Sequence, residues 1–190
     1  MKNIEQELKM ALNEREYNIL LDVGQVEPQL QTNYYFRYKA MPNDMMIRLR
    51  RKGDQYLLCY KQRLSHQNGV AVSDERECEV SKDFAHSLCN RGITQEEAKD
   101  LLGVDVPSDL QLVGSMDTYR AKFQIEQWTL ELDKNEYAGI VDYELECENL
   151  YVEQLEKLKN YLFYAYGIIF RHSKPKIQRF LLALKQISSI

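Results

Sequence analysis

The sequence is poor in several features, and each shortage removes a class of explanation. Its 190 residues hold three histidines (His66, His86, His172) and four cysteines (Cys59, Cys78, Cys89, Cys147). None forms a CxxC pair or a local His/Cys set at ligand spacing, so zinc is not indicated. The opening segment MKNIEQELKM mixes charged with apolar residues and lacks an apolar stretch before a cleavage site. That reads as a cytoplasmic protein, with the cysteines as reduced, buried thiols rather than a disulfide framework. The most apolar window, YLFYAYGIIF at 161–170, falls far short of the roughly 20 residues that span a bilayer. No Lys/Arg run announces a nucleic-acid footprint, and 25 Lys and Arg against 29 Asp and Glu leave a net charge of -4. The overall charge therefore indicates neither nucleic acid nor membrane as a partner, and no protein partner is legible. Prolines are few as well: Pro28, Pro42, Pro107 and Pro175 fall between periodic segments, and no repeat or low-complexity linker divides the chain. The expectation is a single domain over 1–190.

What remains is alternation. Strand-like segments are expected near 2–12, 30–40, 45–52, 55–64, 72–80, 111–117, 120–133 and 138–148, and so many short strands point to a barrel. Helix caps are also readable. Asn13 with Glu16 opens a helix expected to stop at Gly24. Ser81 opens one ending near Gly92, and Thr94 with Glu97 opens another that stops at Gly103. After Asn149, Leu150, Leu155, Leu158, Leu162 and Ala165 recur at helical spacing, with Glu153 and Lys157 paired on the wet side. Beyond Lys176, Ile177, Leu181 and Leu184 share a face of a last helix. The helices are expected to pack on the outside of the sheet.

The strands divide charge from grease. In the first, Glu5, Glu7 and Lys9 share one face and Ile4, Leu8 and Met10 the other. The same division sets Arg48 and Arg50 against Ile47 and Leu49, Glu75, Glu77 and Glu79 against Cys78 and Val80, Glu131 and Asp133 against Trp128, Leu130 and Leu132, and Glu144, Glu146 and Glu148 against Tyr143, Leu145 and Cys147. A solvent face ordinarily intersperses the two signs, because like charges opposite one another across strands repel. Faces of one sign need cations or a polyanion between them, and a dry interior of this kind is excluded by the cost of unpaired charge. Alternation alone does not decide between a closed channel and an open sheet with one wet face. Trp128 and the tyrosines read as packing residues rather than as stacking platforms for bases.

The order of these segments resembles the CYTH proteins, the triphosphate tunnel metalloenzymes, in their short stand-alone bacterial form. EQELK at 5–9 fits the ExExK signature. IRLR, a lysine strand reaching Lys61, EREC, the basic TYRAKF and LELDKNEYAGIVDYELE follow in the family's sequence, and QTNYYF also matches. One departure is visible: Arg37 and Tyr38 follow NYYF where many relatives carry Asp-Thr. The resemblance implies an α+β fold, an eight-stranded antiparallel closed β-barrel enclosing a tunnel, and metal-dependent hydrolysis of a triphosphate. Inorganic triphosphate is favoured, with thiamine or nucleoside triphosphates as further candidates. Adenylate cyclisation and polyphosphate or nucleotide binding without turnover are the rival activities.

Carried over by position, the resemblance assigns Glu5, Glu7, Glu131, Glu144 and Glu146 to metal. It assigns Lys9, Arg48, Arg50, Lys61, Arg120 and a C-terminal lysine, Lys176 or Lys174, to phosphate oxygens. Glu5, Glu7, Lys9 and Lys61 stand nearest the chemistry, and Glu75, Glu77 and Glu79 form a supporting acidic strand. Hard oxygen donors without histidine or thiolate favour Mg²⁺ or Mn²⁺.

Overall fold

The computed structural model describes residues 3–67, 70–148 and 152–187, and for residues 3–6, 66, 67, 70, 152 and 153 only the backbone. The strands are β1 (Asn3–Leu12), β2 (Gln29–Arg37), β3 (Met45–Lys52), β4 (Gln55–Gln67), β5 (Val70–Val80), β6 (Gln111–Ile125), β7 (Trp128–Tyr137) and β8 (Ile140–Glu148). All neighbours pair antiparallel, and the sheet closes in the order β1-β5-β4-β3-β2-β6-β7-β8. The helices are α1 (Glu14–Gly24), α2 (Lys82–Arg91), α3 (Gln95–Leu102), α4 (Val152–Tyr166) and α5 (Lys176–Ile187). No helix among the described residues is long and apolar enough to cross a membrane.

The greasy faces point outward and are covered. Leu8, Met10, Ala121, Leu130, Leu132 and Leu145 pack with Tyr17 and Leu20 of α1 and Leu155, Leu158 and Leu162 of α4. Ile47, Leu49, Tyr56 and Leu58 pack under Ala85 and Leu88 of α2 and Ala98 and Leu102 of α3. The caps hold these helices in place. Asn13 and Glu16 form a reciprocal capping box, as do Thr94 and Glu97, and Ser81 accepts from the Phe84 amide.

Some details differ from the pattern read in the sequence. The break expected near 118–119 is absent: β6 runs through it and reverses at Glu126, whose φ is 51°. Thr118 points inward and donates to Asn135 Oδ1 at 2.8 Å, so these positions belong to the barrel interior. The β7–β8 hairpin turns on Ala138 and Gly139, both at positive φ, a form whose twist matches that of the flanking strands. α1 ends at Gly24 as expected, but the left-handed residue is the following one, Gln25. Gly24 is needed for a different reason, since a Cβ there would lie 2.7 Å from the Phe123 ring. Ala165 of α4 is exposed, and the core face runs instead through Leu155, Leu158 and Leu162. Leu150 and the Glu153 side chain of the expected helix lie outside the described residues.

α5 is placed differently from the other helices. It closes one end of the barrel, where its Ile177, Phe180 and Ala183 meet the inward-facing Tyr35, Met116 and Tyr137. A bulge in β6 makes the seat. The β2 register slips between Tyr35 and Phe36, and Gly114 adopts a φ of 143° beneath Phe180, where a Cβ would lie 2.9 Å from the ring. The segment before α5 is tied to β1 beyond its pairing with β5. The Ala11 amide donates to the Arg171 carbonyl at 2.8 Å, and His172 bridges Met10.

Leu158 is fully buried beneath α4. Leu158→Ala is expected to lose about 2–5 kcal/mol of stability, read as a lowered urea midpoint with an unchanged slope; a loss below about 1 kcal/mol would refute this packing.

Candidate active site

Closure turns the charged faces inward. Position round the ring then decides which charges confront each other. In an eight-membered ring β8 stands opposite β3, and β7 opposite β4. The carboxylates of β7 and β8 therefore face Arg48 and Arg50 of β3 and Lys61 of β4 across the channel. Between them lies a cavity of about 190 Å³ lined by Glu7, Lys9, Arg48, Arg50, Lys61, Arg120, Glu146 and Lys176, among others. It has room for several waters, so the charges are not in a dry core.

On the acid wall, Asp133, Glu144 and Glu146 each present an oxygen within 4.8 Å of the others, and all three residues are buried. Their neighbours are cations. Lys176 Nζ sits 2.7 Å from Asp133, 2.6 Å from Glu146 and in contact with Glu144. Lys9 spans Glu146 at 2.5 Å and Glu7 at 3.1 Å. Arg120 forks onto both Asp133 oxygens at 2.7 and 2.6 Å and reaches Glu146 at 2.8 Å. Arg179 joins Glu144 at 2.6 Å to Asp142 at 2.8 Å, and the Ser173 hydroxyl donates to Glu144 at 2.7 Å.

These contacts set the acidities. Burial works against the charged form of Glu146, but Lys176, Lys9 and Arg120 outweigh it and hold the carboxyl well below the usual range. The same contest, with Lys176 and Arg120, lowers Asp133, and with Lys9 and Lys61 lowers Glu7. At Glu144 burial wins, helped by the adjacent charge of Glu146, and the carboxyl is raised despite Lys176 and Arg179. Burial opposes the Lys9 and Lys176 ammoniums as well, yet the surrounding carboxylates raise both.

The basic wall is different. Among the described residues neither Arg48 nor Arg50 has a carboxylate at ion-pair distance, and the buried Arg48 Nε has no hydrogen-bond partner. Arg50 donates only weakly to Asn33, at 3.3 Å. Arg48 lies against the Tyr35 hydroxyl and the Cys59 thiol. Lys61 touches Glu75 and lies 2.7 Å from Glu7, which links the two walls.

The structure thus brings together Glu7, Lys9, Arg48, Arg50, Lys61, Arg120, Glu146 and Lys176 round one cavity, with Glu144 just behind it. Lys174 is exposed, leaving Lys176 as the lysine that enters. Glu131 is not part of the three-carboxylate cluster; it sits further along β7 with Lys122 at 2.7 Å and Arg120. Asp133, opposite Glu144 in the β7–β8 register, completes that cluster, and Glu131 stands opposite Glu146. Glu75 and Glu77 line the cavity and Glu79 is exposed outside it. The backbone of Glu5 pairs with Ser73, and its side chain lies outside the described residues. Sequence reasoning did not place Arg179, Ser173 or Cys59 at the site. Arg179 follows Lys176 by three residues on one helix, a spacing that signals a shared face. Cys59 faces Arg48 in register. Ser173 carries no sequence signal.

Residues 3–181 match the family described as CYTH domain. Over 187 residues, 94% of this chain and 95% of the relative, the sequence is 28% identical to the Bacillus subtilis (strain 168) protein named "Putative triphosphatase YjbK". A Bacillus halodurans structure described as "a putative adenylate cyclase" superposes with a TM-score of 0.73 at 26% identity, covering 94% of this chain and 98% of that one. A Hippeastrum structure, described as "Putative adenylyl cyclase HpAC1" with a dominant triphosphatase activity, superposes with a TM-score of 0.75 at 23% identity, covering 94% and 95%. At that identity the likeness speaks for the fold alone.

The lowered carboxyls carry a pH signature. Glu7, Asp133 and Glu146 hold fewer protons folded than unfolded in the range below about pH 5, so the stability they contribute is full above it and is lost as the pH falls through their native values. Glu144 and Glu148 work in the opposite sense, because their native forms take up a proton first. With three lowered groups at the site against these two, and Glu97 lowered as well by its Arg91 partner, the urea midpoint is expected to fall below about pH 5. The fall should be shallower in Glu146→Gln. An identical acid limb in the variant would contradict this account.

Proposed function

The chain belongs to the CYTH domain family, and from that premise we propose that it hydrolyses a triphosphate inside the barrel, inorganic triphosphate foremost, with Mg²⁺ or Mn²⁺ as its ion. We read 1–190 as one catalytic domain. The observation that carries the reading is the polarity of the cavity. Two arginines that, among the described residues, have no carboxylate at ion-pair distance stand opposite a buried set of three carboxylates, an arrangement that fits a polyanion on one side and a cation on the other.

The donor set fits a hard divalent ion. Asp133, Glu144 and Glu146 would hold it, with Glu7 next along the wall, and all donors are carboxylate oxygens. When bound, such an ion supplies charge neutralisation at phosphate oxygens and a water of lowered pKa. The chain's own residues do the rest. Arg48 and Arg50 take non-bridging oxygens with forked donors, whereas Lys9 and Lys61 act as point charges. Arg120, already anchored by Asp133, keeps the carboxylates in place and presents an edge to the cavity. Water attacks the terminal phosphorus in line, its oxygen forming the new P–O bond while the bond to the bridging oxygen breaks, releasing phosphate and diphosphate.

Inorganic triphosphate is preferred because, among the described residues, the cavity lining is dominated by charged groups suited to phosphate oxygens and holds no Phe, Tyr or Trp. The name given to the Bacillus subtilis relative, "Putative triphosphatase YjbK", favours hydrolysis over cyclisation. Adenylate cyclisation is the second reading, favoured by the name given to the Bacillus halodurans structure.

Phosphate release from tripolyphosphate in the presence of Mg²⁺ or Mn²⁺, and its loss on chelation, is the direct test; release untouched by chelator would remove the metal from the proposal. Cyclic AMP formed from ATP in preference to phosphate release would favour the second reading. Glu146→Gln is expected to lower kcat/KM on the order of a hundredfold or more. Arg48→Lys, which keeps the charge and loses the fork, is expected to lose on the order of tenfold to a hundredfold. A fully active Arg48→Lys would show that charge alone suffices on that wall.

A further inference from the structure

Lys176 occupies the place that a metal ion would take. Its ammonium lies 2.7 Å from Asp133, 2.6 Å from Glu146 and against Glu144, the three residues whose oxygens converge. A divalent ion bound by those oxygens and an ammonium in contact with all three cannot share the space.

The converging carboxylates are also paired without a metal. Asp133 meets Arg120 and Lys176, Glu144 meets Lys176 and Arg179, and Glu146 meets Lys9, Arg120 and Lys176. A free divalent ion must displace a cation that is already desolvated and paired there, which costs far more than displacing water. Lys176 is the cation that both lines the cavity and touches all three converging carboxylates. Arg120 is forked onto Asp133, Arg179 is held between Glu144 and Asp142, and Lys9 reaches Glu146 and Glu7 but neither Asp133 nor Glu144 at ion-pair distance. Lys176 stands on the first turn of α5 and follows the loop residues Ser173 and Pro175, which line the cavity too.

We propose that Lys176 is an exchangeable stand-in for the metal: it fills the carboxylate cluster in the free protein and moves to phosphate oxygens when metal and triphosphate arrive together. The metal alone then binds weakly, and each ligand strengthens the other, a coupling that is equal in both directions. This rests on the triphosphatase reading in naming the anion. The exchange keeps the carboxylates from capturing free divalent ions and makes loading of the site conditional on substrate.

The test uses the metal-free full chain, titrated calorimetrically with MnCl₂ alone and, separately, with tripolyphosphate alone, in the wild type, Lys176→Met and Lys176→Arg. Lys176→Met is expected to bind Mn²⁺ more tightly than the wild type by roughly 5- to 150-fold and tripolyphosphate more weakly. Lys176→Arg, which keeps a cation in the cluster, is expected to stay near the wild type for Mn²⁺. A folded Lys176→Met whose Mn²⁺ affinity is unchanged or reduced overturns the exchange. A second measurement needs no variant: acylation of Lys176 in the wild type, followed by mass spectrometry, should speed up when Mn²⁺ alone is added at saturating concentration, and an unchanged rate overturns the proposal. If the wild type releases phosphate with Mn²⁺ while Lys176→Met gains no Mn²⁺ affinity, only the exchange fails. If the wild type binds neither Mn²⁺ nor tripolyphosphate, the triphosphatase reading fails with it.

Discussion

Everything at the centre of this molecule depends on carboxylates being held next to ammonium and guanidinium groups inside a ring of strands. Burying an unpaired charge costs several kcal/mol, and Asp133 and Glu144 have no exposure at all. They are tolerable because Lys176, Arg120 and Arg179 reach them from β6 and α5. The apolar outer faces under α1 to α4 supply the drive to fold, while the interior adds charge that only pairing and water make affordable. A barrel of this kind is stabilised from outside and made functional from inside.

That pairing is uneven, and the unevenness is what gives the cavity a direction. Among the described residues Arg48 and Arg50 of β3 have no carboxylate at ion-pair distance, whereas Asp133, Glu144 and Glu146 of β7 and β8 each meet at least two cations. A ligand carrying both a polyanion and a metal ion satisfies the first wall and competes with the pairs of the second. α5 belongs to this arrangement as much as to the fold. Phe180 seats it on the bulge at Gly114, and the same helix delivers Lys176 and Arg179 to the acid cluster.

Much of this was legible beforehand. Capping boxes at Asn13 and Thr94 marked two helix starts because their side-chain and backbone partners are local, three residues apart. The inward and outward faces of β1, β3, β5, β7 and β8 were legible because side chains alternate along any strand. Misplaced features were those in which local signals conflict with distant ones. The chain runs straight through 118–119 because Thr118 finds Asn135 on the neighbouring strand β7. Gly24 ends α1 as read, but the left-handed residue is Gln25 and the glycine's small size serves Phe123. Glu131 and Asp133 lie on the same face two residues apart, and only the folded barrel brings Asp133 together with Glu144 and Glu146.

The sequence by itself determined which residues carry charge towards one side of each strand and which carry apolar surface towards the other, because the two-residue period of a strand is a property of the local chain. It could not determine closure, since an open sheet alternates in the same way. Ring order, the opposition of β3 to β8, the choice of Asp133 over Glu131 and the delivery of Lys176 by α5 were decided by tertiary structure alone. Each is a relation between residues far apart in the chain, fixed only when strands pair in one register and helices dock on the surfaces that pairing creates.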